Sequence, residues 1–306
     1  MTSRIYSNNQ VPTYAKLVHD TFGYDKVIIM NSGAEAVESA LKLARHFGPL
    51  LSGIGPRTPS GDRIRYGIIE DLERAFADFG DRIAAFIIEP IQGSGSIVPA
   101  DRYYFKAVSR LCKAYNVLFI ADEVLSGCGR TGSLLAMDQL DTRADIVVMG
   151  KGMGGGVYPV SLVVADSEGM GVMDVGSHGS TFGGNPLACA VSTAAIRVLL
   201  DEKLPDRAKY MGAQLKDGLE ALHSPAIKAV GGRGLFVAVE LDAEQLSGAN
   251  AFDVALIVKQ KGLLLYPSSL YSLRLLPPLV ISEAEMSSAI DKIGAALKEL
   301  CNDGRK

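Results

Sequence analysis

Short apolar runs alternate along the chain with segments in which apolar residues recur at helical spacing. Four runs, at residues 84–88, 117–121, 145–149 and 160–164, are apolar on both faces and are followed by turn residues. This pattern predicts strands that are buried on both sides. Because the segments between them have helical periodicity, we predict an α/β fold with a mostly parallel sheet covered by helices.

Two helices are predicted here from local signals. Residues 103–115 carry apolar side chains along one side at helical spacing, and residues 186–200 follow Asn185, a good N-cap, with Pro186 in the first turn. Residues 48–65 are rich in Gly, Pro, Ser and Arg and have neither helical nor strand periodicity, so we predict a loop there.

The last third of the chain has a different character. After residue 201 we predict amphipathic helices and intervening strands, the helices at residues 207–222, 252–261 and 282–300 and the strands at residues 233–241, 262–266 and 272–276. Such a mixture forms a compact α+β layer. The sequence therefore predicts a large domain over residues 1–204 and a small C-terminal domain over residues 205–306.

The composition indicates a globular protein without a strongly charged surface. The 306 residues are 48% hydrophobic, and 31 Lys and Arg against 34 Asp and Glu give a formal net charge of −3. No block of like charge occurs, which argues against nucleic acid or an anionic membrane as a partner. The first residues lack the apolar core of a signal peptide and no apolar stretch approaches bilayer length, so we expect a cytoplasmic protein.

The cysteines and histidines indicate no metal site. The four cysteines are far apart and form no CxxC pair, which is typical of free thiols in a reducing compartment. The four histidines have no ligand-like spacing. We therefore predict neither a disulfide framework nor a bound metal.

Lys151 is the first candidate for chemistry. It directly follows the apolar run at residues 145–149 and Gly150, and it precedes a glycine-rich stretch at residues 152–156. Ligands of open α/β sheets collect at such strand ends. A partly buried amine beside a cationic ring loses its proton readily and can form a Schiff base. The alternative is an ordinary surface lysine in a turn.

Asp122 ends the apolar run at residues 117–121, and a carboxylate in so apolar a setting needs a partner. A pyridinium nitrogen would supply one, since a carboxylate keeps that nitrogen protonated and the ring electron-withdrawing. The alternative is that Asp122 caps the following turn. Glu123 is interpreted as structural.

Two further segments offer groups to a phosphate. Ser32, Gly33 and Ala34 open a predicted helix, and the free amide groups of a first helical turn bind anions. Ser180 and Thr181 offer hydroxyls from a glycine-flanked loop. A plain N-capped helix and a plain polar loop are the respective alternatives.

Taken together, these segments resemble the class III aminotransferases, and among them the ornithine-aminotransferase type. The motifs that carry the resemblance are, in order, Asn31-Ser-Gly-Ala-Glu-Ala36, Glu89-Pro-Ile-Gln-Gly93, Leu118-Phe-Ile-Ala-Asp-Glu-Val124, Gly129-Arg-Thr-Gly132, Gly150-Lys-Gly-Met-Gly-Gly-Gly156, His178-Gly-Ser-Thr-Phe-Gly-Gly-Asn-Pro186 and Arg274-Leu-Leu-Pro-Pro-Leu-Val-Ile281. They span nearly the whole chain.

The resemblance implies an aspartate-aminotransferase-like fold of the pyridoxal-phosphate-dependent transferases, fold type I, with residues 1–204 as the cofactor-binding domain. It also implies pyridoxal 5'-phosphate as cofactor. Lys151 would form the internal aldimine with it and relay a proton between the substrate carbon and the cofactor. Asp122 would pair with the ring nitrogen.

The resemblance also implies which residues bind the cofactor phosphate and the substrate carboxylate. Gly33 and Ala34 would hold the cofactor phosphate of their own subunit, whereas Thr181 would reach the phosphate of the partner subunit, which requires a homodimer. Arg274 would bind the substrate α-carboxylate, a role suited to its planar, permanently charged guanidinium.

At two positions the sequence departs from the family pattern. Leu125 stands where the family has a glutamine beside the phenolic oxygen of the cofactor, and leucine cannot make that hydrogen bond. Ser94 stands where ornithine-type enzymes have a glutamate that pairs with the arginine matching Arg274 and serves the switch between two substrates. Its absence puts ornithine in doubt as the donor.

Two family segments have no counterpart in the sequence. The chain begins at a point that matches the family inside its large domain, so an N-terminal segment with substrate-contacting aromatic residues is expected to be missing. After Arg45, the family would interpose a strand and a turn whose aromatic residue stacks on the cofactor ring. The loss of a strand predicts a gap in the sheet or an exposed edge. Phe47 is a weak substitute for the aromatic residue.

These observations lead to one principal hypothesis and two alternatives. The principal hypothesis is a transaminase that moves an amino group from an amino acid, ornithine-like or another ω-amino donor, to a 2-oxo acid. A racemase or epimerase on the same scaffold is the first alternative, and a requirement for an oxo acid separates the two. The second alternative is an inactive or cofactor-poor truncated paralogue, which failure to take up cofactor would favour.

Overall fold

A computed structural model describes residues 8–47, 57–93, 101–174 and 176–303. Its residue contacts divide the chain into two compact units. The first is drawn from residues 1–90, 100–128 and 135–199, and the second from residues 91–99, 129–134 and 200–306. The domain boundary after residue 204 stays a prediction.

The described residues of the first unit form five strands and six helices. The strands are β1 (Lys26–Met30), β2 (Ala85–Ile88), β3 (Leu118–Glu123), β4 (Ile146–Met149) and β5 (Ser161–Ala165), and the helices are α1 (Gln10–Phe22), α2 (Gly33–Phe47), α3 (Ile69–Phe79), α4 (Arg102–Ala114), the short α5 (Ser167–Met170) and α6 (Pro186–Asp201). The four strands and two helices predicted for this region are confirmed, with ends shifted by one or two residues.

The five strands form one sheet in the order β1-β5-β4-β3-β2. Strands β2, β3 and β4 pair in parallel, whereas β5 runs antiparallel to both β4 and β1. Because β1 and β4 both oppose β5, four of the five strands point the same way, and the predicted mostly parallel α/β sheet is confirmed.

Strand β2 forms one edge of this sheet. Within the part of the chain that the structure describes, β2 pairs with β3 alone. The sheet itself is continuous from β1 to β2. Of the two consequences expected from a missing family strand, the structure therefore has the free edge and not the gap.

Helix α2 covers the centre of the sheet. Its small residues Ala36 and Ala40 are fully buried in the same cluster as Ile120 of β3 and Val148 of β4. Alanine permits a close approach of helix and sheet, and the β-branched strand residues fill the remaining space. This packing fixes the start of α2 relative to the ends of β3 and β4.

The second unit is an α+β layer. Strands β6 (Ile227–Arg233), β7 (Phe236–Leu241), β8 (Tyr266–Ser269) and β9 (Ser272–Leu275) form an antiparallel sheet in the order β6-β7-β9-β8, together with helices α7 (Leu204–Glu220), α8 (Ala251–Gln260) and α9 (Glu283–Asp303). The three predicted helices are confirmed. The helices and the sheet of this second unit share one hydrophobic core, in which Leu215, Val237, Val254 and Leu297 are buried.

Two strand predictions in this unit were wrong. The strand predicted at residues 233–241 begins only at Phe236, because Gly234 has a left-handed φ of 53° and turns the chain from β6 into β7. A Cβ at Gly234 would lie 2.5 Å from the backbone carbon of Thr131, so only glycine fits this turn. The strand predicted at residues 262–266 lies further on, at Tyr266–Ser269.

No helix within the described ranges combines the length and the apolar character needed to cross a membrane.

Candidate functional site

Lys151 lies directly after β4, as the first residue of a short 3-10 helix (Lys151–Gly154), and it is exposed. Its φ of 32° is in the left-handed region, which costs a residue with a Cβ about 1–2 kcal/mol. Such backbone strain persists only where the surroundings enforce it, and it is common at functional sites.

Gly150 brings the backbone of Lys151 close to the start of α2. A Cβ added at Gly150 would lie 3.2 Å from Cγ1 of Val124 and 3.5 Å from the Cα of Gly33. A Cβ at Gly33 would lie 2.7 Å from the same Val124 atom, nearer than side chains tolerate. The two glycines therefore let β4 and α2 meet across Val124.

Asp122 lies near the end of β3, opposite Val148 of β4. Its Oδ1 accepts a hydrogen bond from the Val124 amide at 3.0 Å, so the carboxylate does cap the following turn. Among the described residues, Oδ2 accepts no hydrogen bond. Burial raises the pKa of Asp122, although the Val124 amide and the positive charge of Lys151 act to lower it. One carboxylate oxygen is thus left for a cationic partner.

Glu123 has a structural environment, in agreement with its interpretation from the sequence. Its carboxylate is fully buried and accepts hydrogen bonds from Ser126 Oγ at 2.5 Å and from the Met137 amide at 2.8 Å. Burial raises the pKa of Glu123 to about 7, against the lowering effect of these hydrogen bonds. The side chain fastens the turn after β3 to the segment that begins at residue 136.

The start of α2 is capped and still leaves two amide groups free. Ser32 and Glu35 form a reciprocal cap, in which Glu35 Oε2 accepts from the Ser32 amide at 2.9 Å and Ser32 Oγ accepts from the Glu35 amide at 3.2 Å. Burial acts to raise the pKa of Glu35, but its hydrogen bonds from Ser32 and Asn31 outweigh it and lower the pKa. Within the described ranges, the amides of Gly33 and Ala34 have no acceptor.

Ser180 is tied to the start of α2. Its Oγ accepts hydrogen bonds from Asn31 Nδ2 at 3.0 Å and from the Gly183 amide at 3.2 Å, which leaves its own proton for donation. Thr181 is exposed, and no described residue bonds its hydroxyl. The two predicted phosphate-binding segments thus meet within one unit.

Leu125 is half-buried just after Val124 and offers only carbon atoms to its surroundings. The missing hydrogen bond to the cofactor at this position stays a prediction. The side chain of Phe47 lies outside the described residues, as does Ser94.

Arg274 belongs to the second unit, in β9. One guanidinium nitrogen, Nη1, donates to the carbonyl oxygen of Gly93, and the guanidinium carbon lies 4.3 Å from the ring centre of Tyr266. Its Nε is buried without a hydrogen-bond partner, and the described residues include no carboxylate paired with it. This guanidinium therefore has donors available to an anion.

The structure brings together eight of the nine predicted site residues in the first unit: Ser32, Gly33, Ala34, Asp122, Leu125, Lys151, Ser180 and Thr181. Three further contributors received no role from the sequence. Asn31 donates a hydrogen bond to Ser180, and Val124 lies against both Gly33 and Gly150. The third is Ser161, whose Oγ donates to the Ser32 carbonyl at 2.6 Å. A polar residue at the start of the apolar run of β5 was the available signal for Ser161.

The donor set fits an anionic aromatic cofactor better than a metal. Two free amides suit a phosphate, a carboxylate oxygen suits a protonated ring nitrogen, and an exposed lysine amine suits an aldehyde. Within the described part of the chain, no three His, Cys, Asp or Glu side chains are grouped so as to hold a metal ion.

Known proteins provide an independent comparison. The class III aminotransferase family matches residues 56–297. An ornithine aminotransferase of Schizosaccharomyces pombe is 39% identical over 342 aligned positions, which cover 98% of this chain and 78% of that protein. A mitochondrial ornithine aminotransferase of Arabidopsis thaliana is 41% identical, with coverages of 97% and 70%.

Solved structures of the same kind superimpose on the chain. An acetylornithine aminotransferase from Elizabethkingia anophelis gives a TM-score of 0.88 at 41% identity, over 98% of this chain and 81% of that one. An ornithine aminotransferase from Toxoplasma gondii gives a TM-score of 0.90 at 37% identity, over 100% and 80%.

The alignment lengths also bear on the missing internal segment. The alignment with the S. pombe protein spans 342 positions and this chain has 306 residues, so at least 342 − 306 = 36 aligned positions have no residue here. The similarity nevertheless extends across both units and includes every site motif. The chain belongs to the class III aminotransferases, whose members carry out pyridoxal-phosphate-dependent transamination.

Proposed function

We propose that this chain transfers an amino group from an amino acid, ornithine-like or another ω-amino donor, to a 2-oxo acid, with Lys151 as the cofactor lysine. The observation that carries the proposal is the convergence of Lys151, the open oxygen of Asp122 and the free amides of Gly33 and Ala34 at one end of the sheet. Each of these groups matches a different part of pyridoxal 5'-phosphate.

When bound, pyridoxal phosphate supplies an aldehyde for an amine and a ring that withdraws electrons from the substrate carbon. Lys151 Nζ would be the amine that engages the aldehyde, and it would carry the proton to and from the substrate carbon. Asp122 Oδ2 accepts the ring N–H and keeps it protonated, because the buried carboxylate gains a cation in exchange for lost hydration.

The phosphate is held by neutral donors. The Gly33 and Ala34 amides donate to its oxygens at the positive end of the α2 dipole, next to the Ser32 cap. The loop hydroxyls of Ser180 and Thr181 would add further neutral donors, that of Thr181 to the phosphate of the partner subunit. Leu125 would offer only carbon atoms to the cofactor, so the phenolic oxygen would lack the amide that the family glutamine supplies.

Arg274 is proposed to bind the α-carboxylate of both substrates. Its buried Nε without an acceptor supports this role, since a carboxylate that chelates Nε and Nη2 would satisfy it. We further propose a cytoplasmic homodimer, in which Thr181 donates to the phosphate bound by the partner subunit.

The test is a visible absorption titration of the purified chain with pyridoxal phosphate, before and after borohydride reduction. We expect a yellow adduct that reduction fixes covalently, and its loss in Lys151→Ala. An amino-donor screen with and without a 2-oxo acid then separates transamination from racemisation. A chain that forms no reducible adduct, or a Lys151→Ala variant that still turns over, would refute the proposal.

A further inference from the structure

Three polar contacts hold the loop that carries Ser180 and Thr181 against α2 and the residues just before it. Lys42 Nζ donates to the Ser177 carbonyl at 2.5 Å, His178 Nε2 lies 2.9 Å from Ser39 Oγ, and Asn31 Nδ2 donates to Ser180 Oγ at 3.0 Å. The loop runs antiparallel to this segment, since later loop residues contact earlier residues of the segment from Asn31 to Lys42. We call these three contacts the loop ladder.

The middle contact has a defined donor. Ser39 is fully buried and has a single hydroxyl proton, which it donates to the Glu35 carbonyl at 2.6 Å. Its Oγ therefore accepts from His178, which requires the proton of the imidazole to be on Nε2. Because Ser39 lies inside α2, this contact ties His178 to the helix.

The same helix presents the other phosphate donors. The free amides of Gly33 and Ala34 open α2, and the loop ladder begins at Asn31, just before them, and extends to Lys42, about two turns into the helix. A displacement of the loop along α2 would therefore move the hydroxyls of Ser180 and Thr181, and with them the donor that Thr181 offers to the partner subunit's phosphate.

We propose that Ser39 and Lys42 are positioning residues for the cofactor phosphate, acting through the loop that bears Ser180 and Thr181. This inference rests on the proposed function. In the homodimer, Thr181 serves the phosphate of the partner subunit, so the loop ladder of one subunit sets the cofactor affinity of the other. The helix that holds one phosphate by its amides thus supports the second phosphate by its side chains.

The first test compares the pyridoxal phosphate dissociation constant and the melting temperature of the cofactor-free protein among point variants. Ser39→Ala and Lys42→Met each remove one contact, and we expect each to weaken cofactor binding about three- to tenfold, as for a lost hydrogen bond. Lys42→Arg keeps a donor and should remain within about twofold of the wild type.

Ser192→Ala is the matched control. It removes a buried hydroxyl contact in the same unit, the 2.7 Å hydrogen bond between Ser192 Oγ and Tyr14, without touching the loop. We expect it to lower the melting temperature as Ser39→Ala does while leaving the cofactor dissociation constant unchanged. If Ser39→Ala also lowers only the melting temperature, the contacts are structural and the proposal is wrong.

The second test uses mixed dimers to establish which site responds. A dimer of Lys151→Ala with Ser39→Ala has one cofactor lysine, in the Ser39→Ala subunit, and the intact loop ladder faces it from the partner. We expect wild-type affinity at that site. A dimer of wild type with the Lys151→Ala, Ser39→Ala double variant should instead bind weakly. The reverse ranking would overturn the assignment to the partner's phosphate.

Failure of the proposed function gives a different result from failure of this inference. A wild-type chain that takes up no cofactor refutes the proposed function. Wild-type binding that is unchanged in Ser39→Ala and in Lys42→Met refutes only the role of the loop ladder.

Discussion

At the scale of single residues, the site depends on two glycines as well as on its functional side chains. Gly33 and Gly150 both face Val124, and neither leaves room for a Cβ. The backbone of α2 and that of Lys151 can approach each other only because both positions lack one. This close approach brings the amides proposed to hold the phosphate near the lysine proposed to engage the cofactor.

We predict that Gly33→Ala weakens pyridoxal phosphate binding about tenfold, because its Cβ would lie 2.7 Å from Cγ1 of Val124 and displace the free amides. The double variant Gly33→Ala, Val124→Ala removes the clash and should recover most of the affinity. Absorption titration measures both. Val124→Ala alone serves as the control, and tight binding by Gly33→Ala would exclude the steric explanation.

At the scale of elements, β3 carries two adjacent carboxylates, Asp122 and Glu123, that have different roles. Asp122 keeps one oxygen open towards the site, whereas Glu123 has both oxygens engaged, by Ser126 and by Met137. The alternation of side chains along a strand enforces this division, since neighbours point to opposite faces. Glu123 therefore ties the strand to residues 136–137 without entering the site.

Glu123 should make the stability of the cofactor-free protein depend on pH. Burial raises its pKa from 4.5 to about 7, so the folded state favours the protonated form. The resulting stabilisation is fully present below the unfolded-state pKa and is lost as the pH rises through the folded pKa. Between about pH 5 and pH 8, wild type should lose unfolding free energy relative to Glu123→Gln in urea titrations. Parallel pH profiles of the two proteins would contradict the raised pKa.

The sequence predicted correctly those elements whose own residues are apolar enough to indicate burial. Strands β3, β4 and β5 are apolar on both faces, so the fold class could be predicted, whereas the site residues stay a prediction. Strand β1 was missed because it is short, begins with Lys26 and is buried only at its last two residues. Strand β8 was displaced because it contains Pro267 and two serines, and pairing with β9 holds it in place.

At the scale of the whole molecule, the chain combines most of the predicted site residues with a shortened sheet. At least 36 aligned positions of the S. pombe relative have no counterpart, and within the described ranges β2 has a free edge. A free edge offers unpaired backbone groups to other chains, so we expect the edge at β2 to favour association.

We predict that a chimera with the longer S. pombe segment between Arg45 and Arg57 binds pyridoxal phosphate about tenfold more tightly, because a stacking aromatic ring is restored. It should also associate less in sedimentation, because β2 gains a neighbour. A chimera in which that aromatic residue is replaced by alanine separates the two effects. Unchanged affinity in the chimera would mean that the shortened site is complete without the segment.

The left-handed backbone of Lys151 has a consequence for engineering. A glycine at this position would relieve the strain and make the fold more stable, yet it would remove the amine on which the proposed reaction depends. Selection for thermostability alone would therefore favour replacing the one residue that the enzyme cannot lose. Any directed evolution of this protein has to screen cofactor attachment together with melting temperature.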